Sequence, residues 1–106
     1  MSMNKELIDK YVFNSIKYGS KAEQLLLSKL MMSNIDFKYK YKVPNDITYY
    51  MANFYIPHKN IIINISLSIN VKQAEIVKDD FCKSKGFKVI RILESNISSF
   101  DISSVL

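Results

Sequence analysis

The segment Ile61-Ile62-Ile63-Asn64-Ile65-Ser66-Leu67 constrains the fold more than any other part of the chain. Nearly every residue is β-branched or apolar, so as a strand it presents hydrocarbon on both faces and needs cover from both sides. It is far shorter than a bilayer span of about 20 residues and is broken by Asn64 and Ser66, so a membrane segment is not expected. A central strand between two layers is the remaining solution. At 106 residues the chain has room for one such core, and residues 1–106 read as a single domain. The composition, 48% hydrophobic and 24% charged with 2 Gly and 2 Pro, argues against disorder and flexible-linker arrays.

The neighbouring segments supply the rest of a sheet. Phe37-Lys38-Tyr39-Lys40-Tyr41-Lys42-Val43 alternates strictly, which predicts a strand with one aromatic face and one lysine face. Pro44-Asn45-Asp46 is turn chemistry, a β-rich run covers Thr48 to Ile56, and Pro57-His58-Lys59-Asn60 turns the chain again. A three-strand meander is expected.

Helices fall on either side of it. Leu7, Ile8, Tyr11, Val12 and Ile16 recur at helical spacing, predicting a helix over 4–18 with Asn4 as N-cap and Gly19 as its stop. Ser20 and Glu23 have the spacing of a capping box and open a second helix, whose Leu25, Leu26, Leu27, Leu30 and Met31 should bury against the sheet. Asn70 and Gln73 repeat that spacing ahead of a stripe formed by Val71, Ala74, Val77, Phe81 and Cys82, with Gly86 as the C-terminal stop. Phe87 to Leu93 reads as a last strand, followed by a Ser-rich tail that either forms a short helix or frays. The order is a helical extension over about 4–18, an α-β-β-β-α-β core over about 20–93, and a tail over 94–106.

That order, with its motifs, resembles the restriction-endonuclease-like PD-(D/E)XK superfamily, and more narrowly the group related to very-short-patch-repair endonucleases. The residues that carry the resemblance are Ser20-Lys21-Ala22-Glu23, Met51-Ala52-Asn53-Phe54-Tyr55-Ile56-Pro57, the Ile61–Leu67 segment, and Lys78-Asp79-Asp80-Phe81 through Gly86-Phe87-Lys88-Val89-Ile90-Arg91-Ile92. It implies an α/β fold, a mixed sheet flanked by helices, with the first helix outside the shared core. It also implies a magnesium site at the positions of Asn53, Asn64 and Ser66, where active members carry acids at the first two. Neutral amides there remove the charge a hard cation requires, and with the metal goes the activation of water. No catalytic residue, metal or cofactor is therefore expected, with Glu23, Asn53, Asn64 and Ser66 marking a degenerate site.

Other residues keep two readings open. Glu23 is either a surviving acid or a capping-box partner; Asn53 and Asn64 either contact nucleic acid or satisfy strand-end backbone. Asp46 fits a turn better than a metal site, His58 lacks a second ligand at zinc spacing, and Cys82 on an apolar stripe reads as a buried thiol. Lys38, Lys40 and Lys42, interleaved with Tyr39 and Tyr41, could neutralise phosphates and stack bases, or could form the solvated side of an edge strand. Arg91 either touches phosphate or makes a structural ion pair.

The net charge of +5 suits an acidic partner, although lysine supplies 14 of the 15 basic residues alongside 15 Ile and 9 Asn, a bias that A/T-rich codons alone can produce. The single cysteine and the lack of a signal-peptide apolar region suggest a reducing, cytoplasmic setting without membrane association. The function expected is nucleic-acid binding by an inactive nuclease-like domain. The alternatives are a protein-interaction module, including a homodimer, and an active nuclease with an unorthodox site built from Glu23, Asp46 or Asp79.

Overall fold

The structure, a computed structural model, describes residues 20–105. The helix expected over 4–18 and its Gly19 stop lie outside the described residues. Within them the order is α1 (Lys21–Met32), β1 (Lys38–Pro44), β2 (Tyr49–Ile56), β3 (Ile61–Ser66), α2 (Gln73–Ser84) and β4 (Lys88–Leu93), with short 3-10 turns at Pro57–Lys59, Glu94–Asn96 and Ile102–Val105. The four strands form one mixed sheet in the order β1-β2-β3-β4. β1–β2 and β2–β3 pair antiparallel, while β3–β4 is parallel, joined through α2. The chain is an α/β domain.

β3 behaves as its composition demands. Ile61 and Ile63 join the layer built on Leu26, Leu27 and Leu30 of α1, while Ile62 joins the layer containing Cys82 of α2. Adjacent strand residues point to opposite faces, so α1 and α2 cover opposite sides of the sheet. Asn45 closes the β1–β2 turn by accepting the N–H groups of Ile47 and Thr48 at 3.0 and 2.7 Å, which leaves Asp46 an exposed turn residue. Gly86, at φ 95°, ends α2 in a Schellman arrangement: its N–H reaches Lys83 O at 3.0 Å and the Phe87 N–H reaches Cys82 O at 3.2 Å.

Two expectations are corrected. The strict alternation of β1 does not make one aromatic face. Lys40 has a left-handed backbone (φ 54°) inside a strand whose pairing stays in step on either side, Tyr39 opposite Phe54 and Tyr41 opposite Ala52. Both strands change faces at that rung: Tyr39 and Phe54 lie in the α1 layer, whereas Tyr41, Val43 and Ala52 lie in the α2 layer. The lysines are divided by the same twist, so Lys38 lies over the Tyr41 ring and Lys42 over the Tyr49 ring, with no continuous lysine row.

α2 starts later than the Asn70 and Gln73 spacing suggests. The Asn70 N–H is taken by Ser68 Oγ at 3.2 Å, and the N-cap is Lys72, whose N–H donates to the Glu75 carboxylate at 3.2 Å. Of the expected stripe Cys82 is buried and Phe81 half-buried, but Val71, Ala74 and Val77 are exposed and Asp79 is buried beside Cys82 instead.

Of the two readings of the tail, the short helix holds, as 3-10 turns at Glu94–Asn96 and Ile102–Val105. Ile97 is fully buried in the α1 layer, and Lys29 Nζ donates to Ser98 O and Phe100 O at 3.1 and 2.9 Å, fastening the tail to α1.

Candidate functional site

The β2–β3 ladder covers only Ile56↔Ile61, Tyr55↔Ile62 and Phe54↔Ile63. Beyond it Asn53 and Asn64 fill the fork. Asn64 Oδ1 accepts the Asn53 backbone N–H at 3.3 Å, and Asn53 Oδ1 accepts the Ile65 backbone N–H at 2.9 Å. Each amide oxygen therefore satisfies a backbone donor that the ladder leaves without a strand partner.

The amide nitrogens face acids. Asn53 Nδ2 donates to Glu23 Oε2 at 2.7 Å, and Tyr39 Oη donates to Glu23 Oε1 at 3.1 Å. Asn64 Nδ2 donates to Asp79 Oδ1 at 3.1 Å. Arg91 grips the same aspartate through Nε to Oδ2 at 2.6 Å and Nη2 to Oδ1 at 2.7 Å, while Nη1 donates to Ser66 Oγ at 2.9 Å and lies 3.7 Å from Glu75 Oε1. Tyr39, Glu23, Asn53, Asn64, Asp79, Arg91 and Ser66 are thus one connected network crossing the sheet from α1 to α2. It is largely dry: Glu23 is 8% exposed, Asn64 1%, Ser66 3% and Asp79 9%. Among the described residues no buried side-chain nitrogen or oxygen lacks a partner.

The two readings of Glu23 separate here. Ser20 Oγ accepts the Glu23 N–H at 3.1 Å, which is half of a capping box, but the carboxylate turns away to Tyr39 and Asn53. Asn53 and Asn64 act as strand-fork amides, joining backbone donors to acids. Arg91 makes the structural ion pair, with its side chain 13% exposed. Tyr39, 7% exposed and hydrogen-bonded to Glu23, has no face to offer a base, and Tyr41 stacks on Tyr55 with ring centroids 4.2 Å apart. Lys38 and Lys42 remain exposed and Lys40 is half-buried.

Electrostatics follow the geometry. Burial, reinforced by the Glu23 carboxylate, pushes the Tyr39 hydroxyl well above its ordinary value. The Asp79 hydrogen bonds hold the Arg91 guanidinium more firmly protonated than usual despite its burial. Lys78, whose Nζ donates to Met51 O at 3.1 Å, is lowered by burial and by Arg91. Burial and Asp79 raise the Cys82 thiol, which makes it unreactive.

These donors do not fit magnesium. Both amide oxygens at the fork are occupied by backbone N–H groups, and both amide nitrogens face the carboxylates. The guanidinium occupies both oxygens of Asp79, placing a fixed cation where a divalent ion would need open carboxylate oxygen. Among the described residues no group of three or more His, Cys, Asp or Glu side chains is arranged to hold a metal. No known family model matches the chain, and no curated protein matches it in sequence.

Sequence reasoning passed over Glu75 and the pairing of Asp79 with Arg91. The signal was present in the spacing: Glu75, Asp79 and Cys82 stand at i, i+4 and i+7, a stripe as regular as an apolar one. Hydrophobicity alone found the Phe81–Cys82 end of the buried face but also selected Val71, Ala74 and Val77, which are exposed.

Proposed function

We propose that this chain is a catalytically inactive nuclease-like domain that binds nucleic acid. The observation that carries the reading is the fork network: Glu23, Asn53, Asn64 and Ser66, singled out by the resemblance, share one set of hydrogen bonds in which amides and a guanidinium answer every acid. An antiparallel β1-β2-β3 meander with β4 parallel to β3 accords with the resemblance in topology. Binding rests on phosphate neutralisation by exposed lysines, Lys38 among them, and not on Tyr39 or Arg91.

The test is affinity for duplex, branched and single-stranded DNA and for RNA, measured against salt, alongside incubation with magnesium or manganese. Salt-sensitive binding without cleavage is expected. Cleavage abolished by Glu23→Ala would replace this reading with that of an active enzyme, and absence of binding at low salt would remove it.

A second reading has its own observation. Leu67 and Ile69 in the β3–α2 connection are 77% and 81% exposed, and Val71, Ile76 and Val77 are exposed as well. Exposed apolar residues of this kind suit a protein partner or a second copy of the chain. Sedimentation of the purified chain and recovery of a stoichiometric partner from the native host, with no nucleic-acid affinity, would decide for it.

A further inference from the structure

The strand turns gather cations at the end of the sheet opposite the fork. The antiparallel pairing sets Lys38 at the start of β1 against Tyr55 near the end of β2, and the parallel pairing sets Lys88 at the start of β4 against Ile61 at the start of β3. The β2–β3 turn, carrying His58 and Lys59, is tied to the α2–β4 turn. Asn60 Nδ2 donates to Gly86 O at 2.9 Å, the Lys88 N–H donates to Asn60 O at 3.0 Å, and Tyr55 Oη donates to Asn60 Oδ1 at 2.9 Å. Lys83 in the last turn of α2 and Lys85 at its C-cap stand on the second of these turns. Lys38, His58, Lys59, Lys83, Lys85 and Lys88 are all exposed.

Acids are concentrated elsewhere. Glu23, Glu75 and Asp79 belong to the fork network, Asp46 to the β1–β2 turn at the far end, and Glu94 and Asp101 follow the far end of β4. Asp36 and Asp80 alone among the described acids flank the cluster in sequence. The ion pairs among the described residues are all made by Arg91. The negative end of the α2 dipole accounts for a cation such as Lys83 in its last turn, but not for Lys38, Lys59 or Lys88 on other elements. Charges of one sign held on two bonded turns form a fixed surface, which suits the regularly spaced phosphates of a nucleic acid.

We infer that this lysine pole, formed by the β2–β3 and α2–β4 turns with the start of β1, is the nucleic-acid contact surface, and that the fork is not. The inference rests on the nucleic-acid reading above and locates it. Binding there is through the sugar–phosphate backbone, with no base preference expected of lysine alone.

The experiment uses the full chain and a fluorescent random-sequence DNA duplex titrated at several salt concentrations. Lys83→Glu/Lys85→Glu/Lys88→Glu should weaken binding at least about tenfold, and its neutral counterpart Lys83→Gln/Lys85→Gln/Lys88→Gln should weaken it less and reduce the salt slope by about one for each phosphate no longer neutralised. Lys40→Glu/Lys42→Glu should stay within about twofold of wild type. All substituted side chains are at the surface or half-buried, and unchanged far-ultraviolet circular dichroism verifies the fold. Loss of binding in Lys40→Glu/Lys42→Glu with retention in both pole variants overturns the location while leaving nucleic-acid binding intact. Absence of salt-sensitive binding by the wild type to this duplex and equally to branched and single-stranded DNA and to RNA, including the case in which it binds only anionic vesicles or an acidic protein, overturns both.

Discussion

Asn64 donates an amide N–H to the carboxylate oxygen of Asp79 that also accepts from Arg91 Nη2, at 3.1 and 2.7 Å. A neutral amide and a guanidinium thus share one buried acid. The arrangement occupies both Asp79 oxygens and leaves the fork without the open, charge-dense oxygens of a hydrolytic metal centre.

Breaking this pair leaves an uncompensated buried charge. Arg91→Met and Asp79→Leu should each destabilise the fold by about 3–5 kcal/mol, while the double variant should lose much less because neither charge remains. Urea unfolding of the two single variants and the double variant measures the coupling. Additive losses would show that the pair contributes no coupling.

Tyr39 predicts an alkaline weakness. Its folded-state pKa is raised, so the folded protein holds the phenolic proton to higher pH than the unfolded chain does. That contribution is complete below about pH 10 and is lost as pH rises through the folded value, at no more than about 1.4 kcal/mol per pH unit. Tyr55, raised by burial and by Tyr41, acts in the same direction. Tyr39→Phe should therefore flatten only part of the alkaline fall in melting temperature, while costing about 1–3 kcal/mol near neutrality through the donor Glu23 loses. An unchanged alkaline slope would count against this role for Tyr39.

Lys40 holds a left-handed backbone that favours glycine. Lys40→Gly should stabilise the fold by about 0.5–1 kcal/mol, the relief of strain exceeding the entropy cost, and Lys40→Val should destabilise it by more than about 1 kcal/mol. Chemical unfolding reads both; the opposite ordering would refute the twisted rung.

Charge introduced at the fork should make it respond to metal. In Asn53→Asp/Asn64→Glu the new carboxylates meet Glu23 and Asp79, so the metal-free variant should melt lower than wild type. Magnesium or manganese should raise its melting temperature, by linkage worth about 2.7 kcal/mol at a hundredfold excess over the dissociation constant, and leave the wild type unmoved. Calorimetry showing no gain in divalent affinity would argue against reading these positions as a degenerate metal site.

The main elements were legible because local signals and burial agree. Ile61 to Ile63 demanded two-sided cover and received it, and the turn residues Asn45 and Gly86 acted as their chemistry predicts. The misreadings occurred where tertiary contacts override a pattern. Alternation in β1 was real in sequence, yet one left-handed residue sent Tyr39 and Tyr41 to opposite layers. In α2, an arginine contributed by β4 drew Asp79 inward, although a count of apolar residues gives no reason to bury an acid. Ile97 looked like part of a polar tail until α1 supplied its pocket.

The twisted rung at Lys40 and Asn53 has a consequence for how the chain reaches this state. Because one hairpin presents Tyr39 and Phe54 on one side and Tyr41 and Ala52 on the other, its closure creates docking sites for both helices in a single local event. A short loop makes that event inexpensive in chain entropy, ahead of the longer β3–α2–β4 crossover. Early formation of the β1–β2 hairpin is the expected outcome, readable as high φ-values at its rungs, and loss of its pairing should release both layers together instead of peeling them in turn.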